Sequence, residues 1–187
     1  MTFSIKPTAT QTIIEQNGSD IATLDSNGLT MASGMTLVGD GVGKLLNVVQ
    51  TFKSDIFTTT STSFVDVTGL TASITPLSAT SKILVTATTT ISQSSTGGLV
   101  CFNLLRDSTN IAQPDTTPAF NGTTAAYVTT ASCIIPATIN FLDSPSTTSA
   151  ITYKIQLKTN SGTCLLNGRN TNDGAFTSTL TLMEVAA

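Results

Sequence analysis

The sequence predicts an all-β protein: an antiparallel β-sandwich of the jelly-roll type, preceded by a short β-rich stem and assembled as a homotrimer. Roughly one residue in five is threonine, whose branched side chain favours strands and whose hydroxyl tolerates water. Strand-like runs recur between Gly, Asn, Asp and Pro turn signals at the spacing typical of a sandwich. No segment shows the long 3.6-residue apolar period that predicts a helix.

Residues 1–44 form the predicted stem, a segment for attachment and trimerisation. Two Asn-Gly turn signals, Asn17-Gly18 and Asn27-Gly28, stand between apolar positions and predict short strands joined by tight turns. One thin chain of this kind cannot build a core, so we expect three copies to wind about one axis; a flexible linker is the alternative. The apolar residues expected at this contact are Ile13, Ile14, Ile21, Leu24, Leu29 and Met31.

The sandwich is predicted over residues 45–187. The apolar run 42–52 suits either a buried strand or a short helix, and its Val48-Val49 pair favours a strand. Further strands are predicted at 63–67, 73–75, 83–91, 99–105, 127–135, 138–141, 151–158, 163–166 and 176–185. Because the last of these runs to residue 185, we expect the end of the chain to be locked into the sheet.

Strict alternation over residues 151–158 predicts which side chains enter the core. Ile151, Tyr153, Ile155 and Leu157 face one way, and Thr152, Lys154, Gln156 and Lys158 face water. The residues predicted for the core of the sandwich are Phe64, Val85, Tyr153, Ile155, Leu157 and Leu180.

Two of the predicted loops are candidates for contact with a binding partner, because binding residues concentrate on loops that a rigid scaffold carries. The first spans residues 115–124, with Phe120 as an aromatic platform. The second spans residues 167–173. The candidate contact residues of the two loops are Asp115, Phe120, Asn121, Arg169, Asn170, Asn172 and Asp173. The same residue types also form ordinary turns, which is the alternative interpretation of both segments.

The composition argues against an enzyme. The chain contains no histidine, so Ser/His/Asp triads, Cys/His dyads and histidine zinc sites are excluded. Its 11 acidic residues lie mostly beside Gly, Ser or Thr, where an Asp caps a turn more often than it transfers protons. No cofactor or catalytic residue is predicted. Oxygen ligands near 170–173 suit a calcium ion only loosely, because their spacing is not that of an EF-hand.

Charge, hydropathy and cysteine spacing restrict the partners and the compartment. A net charge of −3 without a Lys/Arg cluster argues against nucleic acid, and the apolar runs are too short to span a bilayer. The N-terminus lacks the apolar core of a signal peptide, so we expect no export and a reducing cytoplasm as the place of synthesis. Cys101, Cys133 and Cys164 have no metal-ligand spacing and are predicted to be small, buried, reduced thiols.

Several phrases of the sequence resemble structural proteins of tailed bacteriophages. The resemblance begins with LLNVVQT at 45–51 and FTTTSTSFVDVTGL at 57–70, and continues with DSPSTTSAITYK at 143–154 and LTLMEV at 180–185. It covers residues 45–187, while LDSNGLTM at 24–31 is similar to the shaft-like N-termini of phage fibres. The resemblance implies a location in the virion, association with other virion proteins through the N-terminal region, and no catalytic residues.

Three function classes follow from this resemblance and the composition. The first is a homotrimeric tail-fibre or receptor-binding protein that presents C-terminal loops to a host glycan or protein. The second is a capsid decoration protein, which a stem reaching at most ~140 Å when extended would favour. The third is a tailspike depolymerase, which needs paired carboxylates in an aromatic-lined cleft; the chain has eight Phe, two Tyr and no Trp, mostly within strand patterns.

Overall fold

The computed structural model describes residues 3–7, 12–16, 19–25, 28–31, 44–116, 118–170 and 174–186. The chain divides into two compact units, Met1–Val42 and Gly43–Ala187. All regular structure in the described ranges is antiparallel β-strand, which confirms the predicted all-β class. These ranges contain no helix with the length and apolar character needed to cross a membrane.

The N-terminal unit contains one four-stranded antiparallel sheet in the order β1-β2-β3-β4. Its strands are β1 (Phe3–Pro7), β2 (Thr12–Gln16), β3 (Ser19–Asp25) and β4 (Gly28–Met31). Gln16 pairs with Ser19, and Asp25 pairs with Gly28, so each Asn-Gly signal stands where two paired strands meet. The predicted short strands are confirmed, and residues 17–18 and 26–27 between them lie outside the described residues.

The six apolar residues predicted to trimerise the stem lie in three of these strands. Ile13, Ile14 and Ile21 are half-buried within their own sheet, whereas Leu24 remains 50% exposed. The backbones of Leu29 and Met31 belong to β4, but their side chains lie outside the described residues. The trimer stays a prediction.

The second unit contains eleven strands. They are β5 (Leu45–Lys53), β6 (Phe57–Thr59), β7 (Val65–Ile74), β8 (Lys82–Gln93), β9 (Gly98–Arg106), β10 (Thr109–Ile111), β11 (Thr124–Val128), β12 (Ile135–Asp143), β13 (Ile151–Thr159), β14 (Cys164–Leu166) and β15 (Ser178–Val185). The strand interpretation of the 45–52 run is therefore confirmed over the helical one.

These strands form two sheets with jelly-roll topology. The strand order of the first sheet is β5-β15-β8-β12. The short strand β14 pairs with the last residues of β8, past the point where β15 ends, and β6 pairs with β14. The second runs β7-β13-β9, with β10 and β11 sharing the far edge of β9. The eight main strands of the unit are those other than β6, β10 and β14. When they are numbered 1 to 8 along the chain, the two sheets have the strand orders 1-8-3-6 and 2-7-4-5, which are the paired Greek keys of a jelly roll. The predicted fold class is confirmed.

Alternating side chains from the two sheets fill the space between them. Along β13, β15 and β8 every second residue is fully buried. Of the six residues predicted for the core, Val85, Tyr153, Ile155, Leu157 and Leu180 are completely buried. Phe64 is an exception: it lies half-buried just before β7, outside the alternating pattern.

Two predicted strand boundaries are wrong. The strand expected at 127–135 is two strands, β11 and β12, separated by a turn at 129–134 in which Ser132 has a positive φ of 61°. The strand expected at 73–75 is the end of the ten-residue β7, whose middle residue Gly69 has a φ of 82°. That backbone conformation suits glycine and coincides with a register shift against β13.

A buried polar cluster ties the two sheets together at one end. Asp143 at the end of β12 accepts two hydrogen bonds from Arg106 of the opposite sheet, at 2.9 and 2.8 Å. The Tyr153 hydroxyl also donates to Asp143, at 2.6 Å. Burial, and then this hydrogen bond to Asp143, hold the pKa of Tyr153 far above its usual range. The hydroxyl therefore stays protonated, and the cluster has the character of a structural clamp.

Candidate functional site

The loops that connect the antiparallel strands lie at the two ends of the sandwich. Leu45 at the start of β5 and Val185 at the end of β15 share one end with the turns 75–81, 107–108 and 144–150. The opposite end, which we call the loop end, carries the turns 94–97, 129–134 and 160–163 and the loop 167–177. The candidate residues Arg169 and Asn170 lie at this loop end.

Asn167 fixes the base of the 167–177 loop. Its side chain is completely buried, and its backbone has a positive φ of 63°, a conformation that asparagine tolerates better than most residues. The side-chain amide donates to the carbonyl oxygens of Lys53 at 3.0 Å and Asp55 at 3.2 Å. Its oxygen accepts a 2.6 Å hydrogen bond from Ser178. One side chain thus joins the loop to the ends of β5 and β15.

The next residue, Gly168, packs closely against the side chain of Ile56. A Cβ at this position would lie 2.9 Å from side-chain atoms of Ile56. The Gly168 carbonyl accepts a 2.9 Å hydrogen bond from buried Ser92, and its backbone bridges to Ala175. The first part of the loop is therefore part of the scaffold.

Beyond Gly168 the loop reaches the surface. Arg169 is half-buried, and its Nε donates a 2.9 Å hydrogen bond to the Ser132 carbonyl oxygen in the 129–134 turn. Asn170 is exposed beside it. The same turn exposes Ile134, at 39%, next to Cys133. A cation, an amide and an apolar side chain are thus presented on a fixed base.

The other two candidates in this loop, Asn172 and Asp173, lie outside the described residues. The calcium hypothesis for 170–173 therefore has no described geometry. Among the residues that the structure does describe, no three His, Cys, Asp or Glu side chains group as metal ligands.

The second candidate loop lies across the outer face of the second sheet. Residues 112–123, which we call the strap, connect β10 to β11. Asn103 and Lys158, both on the outer face of this sheet, are nevertheless buried. Gln113 of the strap hydrogen-bonds Asn103, and Thr123 bonds the backbone of β9 through Phe102 at 2.7 Å and Leu104 at 3.0 Å. The strap is therefore attached near both of its ends.

Lys158 anchors the middle of the strap. Its ammonium group donates to the Ala119 carbonyl at 3.1 Å and to the Asn121 side-chain oxygen at 3.0 Å. It also lies 4.5 Å from the centre of the Phe64 ring, within cation–π range. The prediction that Lys158 faces water is wrong, because the strap covers this end of β13.

The three candidate residues on the strap differ in what they can offer a ligand. Asn121 already accepts the hydrogen bond from Lys158, so its side-chain oxygen supports the strap. Phe120 is 55% exposed and presents an aromatic surface. Asp115 is exposed. The structure thus places the five described candidates in two groups, Asp115, Phe120 and Asn121 on the strap and Arg169 and Asn170 at the loop end.

Sequence reasoning missed Asn167 and Lys158 as the residues that hold the two candidate loops. The local signal was present for Asn167, since Asn-Gly marks a turn. Its partners Lys53 and Asp55 are 114 and 112 positions away, so the sequence pattern gave no sign of the network.

The three cysteines differ in accessibility. Cys101 and Cys164 are buried as predicted, but Cys133 is exposed, because the 129–134 turn interrupts the expected strand. Burial raises the pKa of Cys164 to about 12 and also raises the pKa of Cys101. Neither buried thiol should ionise at pH 8.

We therefore expect a maleimide to label one thiol per native chain at pH 8, and three after denaturation. Mass spectrometry of the labelled peptides checks this, and Cys133→Ser should abolish native labelling. Rapid native labelling of Cys101 or Cys164 would contradict the described burial.

The chain was compared with known proteins. No protein-family model matches it, and no curated protein matches it in sequence. Solved structures that align with the chain include the T13 IBDV viral particle, at 14% identity and a TM-score of 0.42, and infectious bursal disease virus Gt strain, at the same values. A third is the infectious bursal disease virus VP2 subviral particle, at 13% identity and a TM-score of 0.40.

The three alignments cover 94–95% of this chain but only 45–48% of the solved chains, so this chain spans about half of their length. Identity and TM-score at this level do not assign the chain to a family.

Proposed function

We propose that this chain is a virion structural protein of a tailed bacteriophage, a homotrimeric tail-fibre or receptor-binding protein. The proposal starts from the phage-like phrases at 45–70, 143–154 and 180–185. The observation that most strongly supports this proposal is the structure of the loop end. Arg169, Asn170 and Ile134 are presented on a base fixed by buried hydrogen bonds, opposite the end at which the chain enters at Leu45. Receptor-binding domains need this combination of rigid scaffold and exposed loop.

Trimerisation of the stem is supported by exposed apolar side chains in the N-terminal sheet. Ile5 is 68% exposed and Leu24 is 50% exposed. A single four-stranded sheet with apolar side chains on its surface needs another element to cover them. Further copies of the same sheet supply that element. The N-terminal region then attaches the trimer to other virion proteins.

Capsid decoration is the second candidate, and one observation favours it. The strands β1 to β4 fold back on each other, so the longest of them, with seven residues, sets the length of that sheet at about 24 Å. A stem built this way is short for a fibre shaft and suits a protein that sits on a shell. Both candidates place the protein in the virion as a structural component. We propose no enzymatic activity.

The two candidates are separated by a binding experiment with purified protein. We expect the receptor-binding protein to adsorb to host cells and to compete with phage adsorption, and to leave host polysaccharide uncut. Arg169→Ala combined with Asn170→Ala should reduce adsorption at least tenfold, since polar contacts at the centre of an interface are worth about 1.4 kcal/mol or more.

The matched control is Ser144→Ala combined with Thr148→Ala, two exposed residues at the opposite end of the sandwich. It should adsorb like the unmodified protein. Binding to emptied capsids without adsorption to cells would establish the decoration function instead. Release of reducing sugar would contradict both structural functions.

A further inference from the structure

The outer face of the first sheet is almost free of charge. The side chains that point outward from its four long strands are Leu45, Val48, Gln50 and Phe52 on β5; Thr179, Thr181, Met183 and Val185 on β15; Lys82, Leu84, Thr86, Thr88 and Thr90 on β8; and Pro136, Thr138, Asn140 and Leu142 on β12. Among these described residues only Lys82, at the first position of β8, is charged.

The strand registers join the largest apolar residues of this face into one row. Val48 pairs with Met183, Met183 pairs with Leu84, and Leu84 pairs with Leu142. The row therefore crosses the whole sheet, from the edge strand β5 to the edge strand β12. Its two ends are open to solvent, with Val48 51% exposed and Leu142 49% exposed, and Phe52 on the same face is 61% exposed.

The outer face of the second sheet has the opposite character. Lys154 and Asp66 form an ion pair of 2.7 Å there, and the hydrogen bond from Lys154 lowers the pKa of Asp66. The centre of a protein interface differs from ordinary surface in having few charged side chains and many large apolar ones such as Val, Leu, Met and Phe. The first sheet thus carries an interface-like face that the second sheet lacks.

We propose that this outer face packs against two further copies of the same chain around a threefold axis. The inference rests on the trimer of the proposed function. Four strands at ~4.8 Å spacing make a face ~19 Å wide. If three such faces form the sides of a triangular prism, each face lies ~5.5 Å from the common axis. Two packed sheets are ~10 Å apart, so each lies ~5 Å from the midplane, and side chains from the three faces can therefore meet at the axis.

The same dimensions argue against a ring of four copies. Four faces of this width would leave the axis ~9.5 Å away, too far for side chains to meet. The seven residues 46–52 measure ~24 Å along β5, which gives a face of ~450 Å² in plan, against ~800 Å² per partner in a standard interface. The contact is therefore too small to hold the copies alone and requires a stem that keeps them together.

A ring of three copies also predicts which residues meet. Contacts around a threefold axis are heterologous, so different patches of the surface face each other. The exposed ends of the apolar row lie on opposite edges of the sheet. In the prism, the β5 edge of one copy adjoins the β12 edge of the next, which brings Val48 of one copy beside Leu142 of its neighbour.

Cross-linking of the full chain tests this arrangement. In a Cys133→Ser background, Val48→Cys combined with Leu142→Cys is treated with a short bismaleimide. We expect bands of two and three chains on a denaturing gel, while each single variant stays at one chain. The control pair Asp66→Cys and Ser73→Cys, on the outer face of the second sheet, should yield no cross-linked chains.

Light scattering of the same samples separates the possible failures. A trimeric mass without cross-linking of the double variant would overturn the interface and leave the stem trimer in place. Cross-linked pairs from a single variant would show a twofold, face-to-face contact and overturn the ring. A monomeric mass would overturn both this inference and the trimer of the proposed function.

Discussion

Replacing Ile155 with aspartate is expected to abolish folding of the sandwich. Ile155 is completely buried on β13, in the middle of the second sheet. Removing its side chain costs about 2–5 kcal/mol, and an unpaired carboxylate in this position adds several more. The total approaches the roughly 5–15 kcal/mol by which a domain of this kind is stable. Circular dichroism and solubility after expression measure the outcome.

Lys154→Asp is the matched control, because it introduces the same residue one position earlier on the same strand. The Lys154 side chain points to the outer face, where it pairs with Asp66. Losing this largely exposed pair and placing two carboxylates together should cost about 1 kcal/mol, and the protein should still fold. Equal tolerance of the two substitutions would show that β13 does not bury the face described for it.

This asymmetry was predictable from the sequence, because strands with one buried face show their orientation as alternation. The pattern at 151–158 assigned Ile151, Tyr153, Ile155 and Leu157 to the core, and all four are buried. Alternation failed only at Lys158. The strap that covers it is supplied by residues 112–123, and strand periodicity contains no information about a loop that folds back from another part of the chain.

Boundaries were harder to predict than strands. The run Tyr127 to Ile135 looks continuous because its residues favour strands, but a turn at 129–134 divides it. Ser132 adopts a positive φ there, and its backbone amide donates to the Gln93 carbonyl at 2.7 Å. A contact across 39 positions in the chain decides this turn, and the exposure of Cys133 follows from it.

The candidate contact residues were predictable as loop residues but not in their roles. Asn121 and Arg169 have the same local signature, a polar residue among Gly, Asn and Thr. Asn121 accepts a hydrogen bond from Lys158, and Arg169 donates one to the Ser132 carbonyl. These distant partners hold Asn121 and the Nε of Arg169 against the scaffold, whereas the neighbouring residues Phe120 and Asn170 are exposed. Distinguishing the two requires the tertiary structure.

Asn167→Ala is expected to lower stability by about 3–5 kcal/mol, a large effect for one polar residue. The substitution leaves the buried Lys53 carbonyl and the buried Ser178 hydroxyl without their partner, at about 1–3 kcal/mol each, and it also removes the hydrogen bond to the part-buried Asp55 carbonyl. Alanine also tolerates the positive φ less well than asparagine. At roughly 2–4 °C per kcal/mol, the melting temperature should fall by about 10 °C.

Two further variants separate the causes of this loss. Asn167→Gly removes the same hydrogen bonds but accepts the backbone conformation, so it should be about 1 kcal/mol more stable than Asn167→Ala. Asn170→Ala, at an exposed position three residues along the same loop, should change stability by about 0.5 kcal/mol or less. The loop that Asn167 supports carries Arg169 and Asn170, so Asn167→Gly should also weaken adsorption to host cells at temperatures where the sandwich is still folded. Equal melting temperatures for Asn167→Ala and Asn170→Ala would mean that the buried amide does not fix the base of the loop.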